Sequence, residues 1–420
     1  VNRLHRLALL CLVLLAAAPA AAQWMLVPMD LRQTNHLKAY GHAFSVLQAG
    51  DNVSWLLNYR GGSFLMRESA DAALAARLRG VRYERLSDGD VAAVRAEIAG
   101  GNMEEVLLET VPRIAVYAPP NFQPWDDAVT LALTYAEIPF DRVFDREVLE
   151  GKLSEYDWLH LHHEDFTGQF GKFYAVFRLS EWYVEQQALT EELARSLGFD
   201  AVWKLKQAVA LKLHDYVEQG GFLFAMCSAT DTIDIALAYL GCDIVPPEID
   251  GTPLDPQREQ KRDDARTFAF QDFRLITNPL VYEYSTIDTS DYARLRGAEG
   301  DYFTLFAFAA KHDPVPTMLT QCHVNVIDGF MGQTTGFDRA VLKRHVTVLA
   351  EVEGTDEIRY IHGKCGLGTF TFLGGHDPED YQHAVGDPPT DLDLHRTSPG
   401  YRLILNNVLF PAARKKPQKT

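Results

Sequence analysis

Three observations predict an α/β protein built on a mostly parallel sheet with helices on both faces. Strand-like and helix-like segments alternate along the chain, with no internal repeat and no low-complexity stretch. The run Phe222-Leu223-Phe224-Ala225-Met226 is wholly apolar, as a strand buried on both faces should be. Glycine pairs close elements where turns are needed, as Gly220-Gly221 does after the helical pattern Leu205, Val209, Leu213, Tyr216. Such alternation packs as parallel strands joined by crossover helices.

Taken in order, residues 1–22 have the parts of a secretory signal. Arg3 and Arg6 precede the apolar core Leu7 to Leu15, and Ala20-Ala21-Ala22 offers a cleavage site before Gln23. The mature protein is therefore expected to be periplasmic or secreted. The uncharged run is short of the roughly 20 residues of a spanning helix, and no membrane span is expected after cleavage.

Residues 23–112 form a first, smaller α/β unit. Strands are expected at Trp24 to Met29, Val53 to Tyr59 and Val81 to Leu86; helices around Leu37 to Leu47, Leu74 to Leu78 and Val91 to Ile98. The main domain covers 113–411. It opens with the strand Ile114 to Tyr117 and a helix carrying Ala128, Leu131, Ala132 and Tyr135. Short strands at Val143 and Trp158 to His162 follow. The buried strand 222–226 runs into a helix over Ile233 to Leu240. A polar loop and β-rich insertion lie around 251–330, with strand character from Phe268 to Tyr284. A glycine-spaced turn (Gly363, Gly366, Gly368), a strand Thr369 to Leu373 and a helix Tyr401 to Leu409 close the domain before a basic tail, 412–420.

Composition excludes some function classes. With 57 acidic against 40 basic side chains, the net charge is −17, so neither nucleic acid nor an anionic membrane is an expected partner. The four cysteines beyond the signal (Cys227, Cys242, Cys322 and Cys365) are too few for a disulfide scaffold, and the absence of CxxC excludes a zinc ribbon. No cofactor and no resident metal are expected.

Ligands of parallel sheets bind at the carboxyl ends of the strands. That rule selects three stretches. Cys227 hinges a strand to a helix, where unpaired N–H groups lower a thiol's pKa and stabilise an oxyanion. Ser228 and Thr230 flank it. His160 and His162 point to one face of their strand, and His163, Glu164 and Asp165 crowd its end; the set suits a polar substrate, or a divalent ion completed by His376, Asp377 or His383. His376, Asp377 and Glu379 follow the last strand. The aromatic stripe Phe166, Phe170, Phe173, Tyr174 and Phe177 has helical spacing and reads as core.

Ala225-Met226-Cys227-Ser228-Ala229 resembles the Gly-x-Cys-x-Gly elbow of class I glutamine amidotransferases, with alanine for both glycines. Phe372-Leu373-Gly374-Gly375-His376-Asp377-Pro378-Glu379 resembles that superfold's strand followed by His-Pro-Glu, with Asp377 inserted. Its Gly-His pair, and the segment Asp272-Phe273 through Asn278-Pro279 to Tyr284, also resemble the trehalose-utilisation (ThuA-like) branch. The whole chain, including Pro28-Met29-Asp30 and Asn58-Tyr59-Arg60-Gly61-Gly62, resembles exported bacterial proteins labelled asparagine synthetase B. It has neither the N-terminal cysteine nor the Ser-Gly-Gly-x-Asp-Ser loop that this synthetase chemistry needs. The resemblance implies a flavodoxin-like fold with Cys227 as nucleophile, His376 as base and Glu379 or Asp377 as orienting acid. Three readings stand: an exported thiol hydrolase acting on an amide or related bond of a small substrate, a non-catalytic module for carbohydrate or another polar ligand, and a metal-dependent hydrolase.

Overall fold

A computed structural model describes residues 23–121, 123–307, 309–312 and 321–414. Residues 1–22, where a signal is expected, and residues 415–420 of the expected basic tail lie outside them. Two sheets organise the chain. The first is antiparallel throughout: β1 (Trp24–Val27), β2 (Val53–Leu57), β3 (Ser63–Arg67), β4 (Glu84–Leu86) and β5 (Glu104–Leu108), in the order β4-β1-β3-β2-β5. The predicted strands and helices of this unit are present, the helices as α1 (His36–Gln48), α2 (Ala70–Leu78) and α3 (Asp88–Gly100).

Strand β3 was not expected. Asn58, Arg60, Gly61 and Gly62 all take positive φ and fold the chain back at once. Glycine is needed there, because a Cβ on Gly61 would come within 2.4 Å of the Met29 carbonyl oxygen.

The second sheet has ten strands: β6 (Ile114–Tyr117), β7 (Asp141–Val143), β8 (Trp158–Leu161), β9 (Phe222–Met226), β10 (Tyr302–Leu305), β11 (Val326–Asp328), β12 (Phe337–Asp338), β13 (Thr347–Glu351), β14 (Glu357–Cys365) and β15 (Gly368–Leu373). Five of them, in the order β7-β6-β8-β9-β15, are parallel. From β15 outward the order β14-β13-β10-β11 is antiparallel, with β12 on β14. The sheet is therefore mixed: its parallel part is as expected, and the antiparallel extension is added to it. Strand β14 escaped the sequence because Gly363 reads as a turn; it lies in the ladder opposite Phe370, whose ring would be 2.3 Å from a Cβ there.

The 251–330 insertion also differs. Phe268 to Tyr284 forms isolated bridges rather than a strand, and the Asp234 carboxylate gathers the N–H groups of Phe268, Ala269 and Phe270 at 2.6–3.0 Å. Strands β10 and β11 extend the main sheet instead.

Period-two alternation sorts side chains to two faces. Ala115, Tyr117, Leu159 and Leu161 join a core with helices α5 (Glu181–Ser196), α6 (Val202–Glu218) and α7 (Ala229–Ala238). Ile114, Val116, Trp158 and Phe224 join a core that runs on through α4 (Ala128–Ala136), α8 (Pro399–Leu409) and α1 to Trp55 and Phe64 of the first sheet. Ten of the thirteen residues of α1 are buried. A Cβ on Gly41 would fall 1.7 Å from the Ala136 carbonyl oxygen, so glycine lets α1 lie directly on α4. The first unit thus shares its core with the second. Among the described residues no helix is long and apolar enough to cross a membrane.

The parallel register places the functional candidates. Val116 pairs with His160, His160 with Phe224, and Leu373 with Met226. Ala118, His162, Cys227 and Gly374 therefore leave the sheet along one edge.

Candidate functional site

Cys227 follows β9 with φ +51, an uncommon and strained value for a residue carrying a Cβ. The turn is held on both sides. Cys227 N–H donates to the Gly375 carbonyl at 3.2 Å, and the Thr230 hydroxyl donates to the Cys227 carbonyl at 2.6 Å. Thr230 is therefore a brace for the turn. The sulfur accepts the Gln333 N–H at 3.2 Å rather than bonding a histidine ring. Burial pushes the thiol up to about 11, against the lowering pull of the Gln333, Ser228 and Thr334 N–H groups.

Cys227, Ser228, Gln333, His163, His376 and His383 line a pocket of about 170 Å³. A larger pocket of about 480 Å³ shares its walls Trp125, His163 and Phe173. Glu164 faces that larger pocket, accepts the His162 N–H at 2.8 Å and is pushed up to about 8 by burial.

The histidines form one contiguous group. Ring centroids are 3.9 Å apart for His162 and His163, 4.6 Å for His163 and His376, and 4.8 Å for His376 and His383. His160 lies behind them in the core, its Nδ1 3.2 Å from the Phe224 carbonyl. Two aspartates that the sequence reading overlooked complete the group. Asp127 caps α4 by accepting the Thr130 N–H at 2.7 Å, and its other oxygen lies 3.4 Å from His160 Nε2 and 3.3 Å from His162 Nδ1. The Asp126 backbone carbonyl accepts from His163 Nε2 at 2.8 Å, and its carboxylate stands 2.8 Å from His383 Nε2. That carboxylate, then burial acting against it, leaves His383 raised to about 9. Burial first, and neighbouring histidines second, hold His163 and His376 well below the usual imidazole range. The Trp125-Asp126-Asp127 signal was present: an acidic cap opening the helix after β6 must sit at the carboxyl edge beside β8.

The remaining predicted residues are placed elsewhere. Asp377 accepts the Glu379 N–H, the Thr390 hydroxyl and the Tyr401 hydroxyl at 2.7–2.9 Å. Glu379 pairs with His395 at 2.8 Å. Both acids turn away from His376 toward α8 and its entry loop, so the carried-over orienting acid is not supplied by either. Asp165 gathers the N–H groups of Thr167, Gln169 and Gly171 at 2.7–3.0 Å and shapes its own loop. The aromatic stripe is not one helix: Phe166 is core, while Phe173 reaches the pocket. Cys227, Cys242, Cys322 and Cys365 are all free thiols.

Three overlapping sets have ligand atoms all within 4.8 Å of one another: His162, His163 and His376; Asp126, His376 and His383; Asp127, His160 and His162.

No family model and no curated protein matches this chain. Two solved cytoplasmic proteins of Salmonella typhimurium are similar at 11% and 12% identity, covering 72% of this chain and 100% of theirs, with TM-scores of 0.33 and 0.32. A β-galactosidase from Bacillus circulans is similar at 11% identity over 69% of this chain and 32% of its own, with a TM-score of 0.26. Scores this low bear on neither fold nor function.

Proposed function

We propose that the chain is an exported thiol hydrolase of the class I glutamine amidotransferase-like superfold, cleaving an amide or related bond of a small polar substrate. Numbered from β6, the parallel strand order is 2-1-3-4-5, which supports a flavodoxin-like reading of the sheet. The observation that carries the reaction is Cys227 itself: a buried cysteine at φ +51 between a strand and a helix, its sulfur on a pocket wall with His376. Strain of this kind persists where the surroundings over-determine it, and it clusters at active sites.

The chemistry follows from the resting state. The thiol is protonated and His376 is neutral, so the sulfur attacks the carbonyl carbon while its proton passes to the imidazole. The same proton then goes to the leaving amine as the C–N bond breaks, and water hydrolyses the thioester. His376 is held by packing between His163 and His383 rather than by a carboxylate. Export rests on the N-terminal signal pattern. A second reading, a binding module for a polar ligand, is favoured by the burial that pushes the thiol up to about 11.

p-Nitrophenyl acetate, a generic acyl donor, separates the two. The first reading expects a stoichiometric burst of nitrophenolate and an acetyl group on the Cys227 peptide, both lost in Cys227→Ala and slowed in His376→Ala. No burst, or acetylation spread over surface lysines, favours the binding module.

A further inference from the structure

We propose that His162, His163 and His376 form a binding site for a divalent transition metal of the zinc class, beside the Cys227 pocket. This goes beyond the thiol reading, does not rest on it, and departs from the sequence expectation of no resident metal.

The first argument is proximity: one ring nitrogen from each histidine lies within 4.8 Å of the others. The second is tautomer control. His163 Nε2 donates to the Asp126 carbonyl at 2.8 Å, which leaves the lone pair on Nδ1. His162 Nδ1 faces the Asp127 carboxylate at 3.3 Å, which leaves the lone pair on Nε2. A carbonyl or carboxylate behind each ligating imidazole is the outer-shell pattern of metal-bound histidines.

The third argument is what these groups lack. His162 Nε2, His376 Nδ1 and the second Asp126 carboxylate oxygen are buried without a hydrogen-bond partner. Buried polar atoms are almost always satisfied, and here several unsatisfied ones face one small volume. A cation would answer the imidazole lone pairs that no hydrogen-bond donor answers, and Asp126 and Asp127 beside them would balance its charge. His163 and His376 also line the pocket, so an ion has a way in and an open position for water or a carbonyl oxygen. The rival set His214, Asp215 and Glu218 lies on one partly exposed helix and has no such shell. With an ion bound, His376 is a ligand and no longer a base, so metal occupancy and thiol chemistry exclude each other.

The test is Co(II) titration of chelator-treated full-length protein, read by visible absorption and by the rise in melting temperature. About one Co(II) per chain is expected. His163→Ala, at the pocket rim, should abolish uptake, and Asp127→Asn should weaken it roughly 10–100-fold. Circular dichroism melts of the metal-free variants separate lost binding from lost fold, and His376→Ala serves if either variant fails to fold. Cys227→Ser should bind as the parent does; loss there would move the ion to the sulfur and overturn the three-histidine assignment. No saturable uptake, or uptake unchanged in both His163→Ala and Asp127→Asn, also overturns it. Acetylation of Cys227 in the metal-free protein reports on the thiol reading independently.

Discussion

Histidines gather twice in this molecule, at the strand ends and at the seam where α1 meets α8, and the two groups are wired oppositely. At the seam, His36 and His323 stack 4.2 Å apart at an interplanar angle of 7°. Their charged neighbour is Arg402, whose guanidinium is 3.1 Å from His323 Nδ1. Arg402 also donates to Tyr40 Oη at 2.8 Å, to the Met29 carbonyl at 3.0 Å and to the Gly61 carbonyl. Burial, reinforced by that arginine, holds His36 at about 4 and His323 at about 3. At the strand ends the charged neighbours are carboxylates, and His383 rises to about 9. The residue type is the same; a carboxylate raises His383, while burial holds His163 and His376 low as it does His36 and His323. The seam uses its bonds to join the first sheet to the main domain, whereas the strand ends leave lone pairs facing a pocket.

The largest effect expected from this contrast is at the seam. Arg402→Leu removes a buried cation that donates to the Tyr40 hydroxyl and to two carbonyls, at a cost of roughly 3 kcal/mol or more. His163→Ala, at the pocket, should cost about 1 kcal/mol or less in metal-free protein. Urea unfolding of the two variants measures the difference, and equal losses would mean the strand-end group is also structural.

Acid is the next lever. His36 has a folded pKa of about 4 against an ordinary 6.5. The unfolded chain therefore takes up the proton first, and stability present above pH 6.5 is lost as pH falls toward 4, by roughly 3 kcal/mol. His36→Gln should flatten that part of the stability-versus-pH curve. His383 runs the other way: its contribution is complete below about 6.5 and lost as pH rises through 9. A curve unchanged by His36→Gln would remove the seam histidine from the comparison.

The smallest effect is at the turn beside the strand-end group. Both Cys227→Gly and Cys227→Ala remove the sulfur, but only glycine relaxes the positive φ. The glycine variant should be the more stable by about 1 kcal/mol. Equal melting temperatures would mean that the turn is not strained.

Legibility varied with the range of the interaction. The run 222–226 and the helical pattern after Leu205 announced β9 and α6, because burial on both faces and a 3.6-residue period are local properties. Strands β3 and β14 were hidden because Gly62 and Gly363 look like turns until a cross-strand partner explains them. At the site, the strand-end rule found Cys227, His162, His163 and His376, and the alternation of β8 put His160 and His162 on one face. It also selected Asp165, Asp377 and Glu379, whose carboxylates close loops and pair elsewhere. Asp126 and Asp127 were missed because their importance lies in what they face across the edge, whereas His383 was named as a possible partner of the strand-end histidines.

By itself, the sequence determined which segments are strands and helices over most of the chain, the acidic surface, and a cysteine at a strand–helix junction. Those properties depend on neighbours a few residues apart. Only the tertiary structure decided that the small first sheet shares a core with the main domain, that the main sheet is mixed, and that five histidines meet two aspartates at one edge. Register, long-range pairing and the charge beside a buried imidazole depend on residues scores of positions apart. Residue type and spacing do not carry that information, because a histidine is written the same whether an arginine or a carboxylate will stand against it.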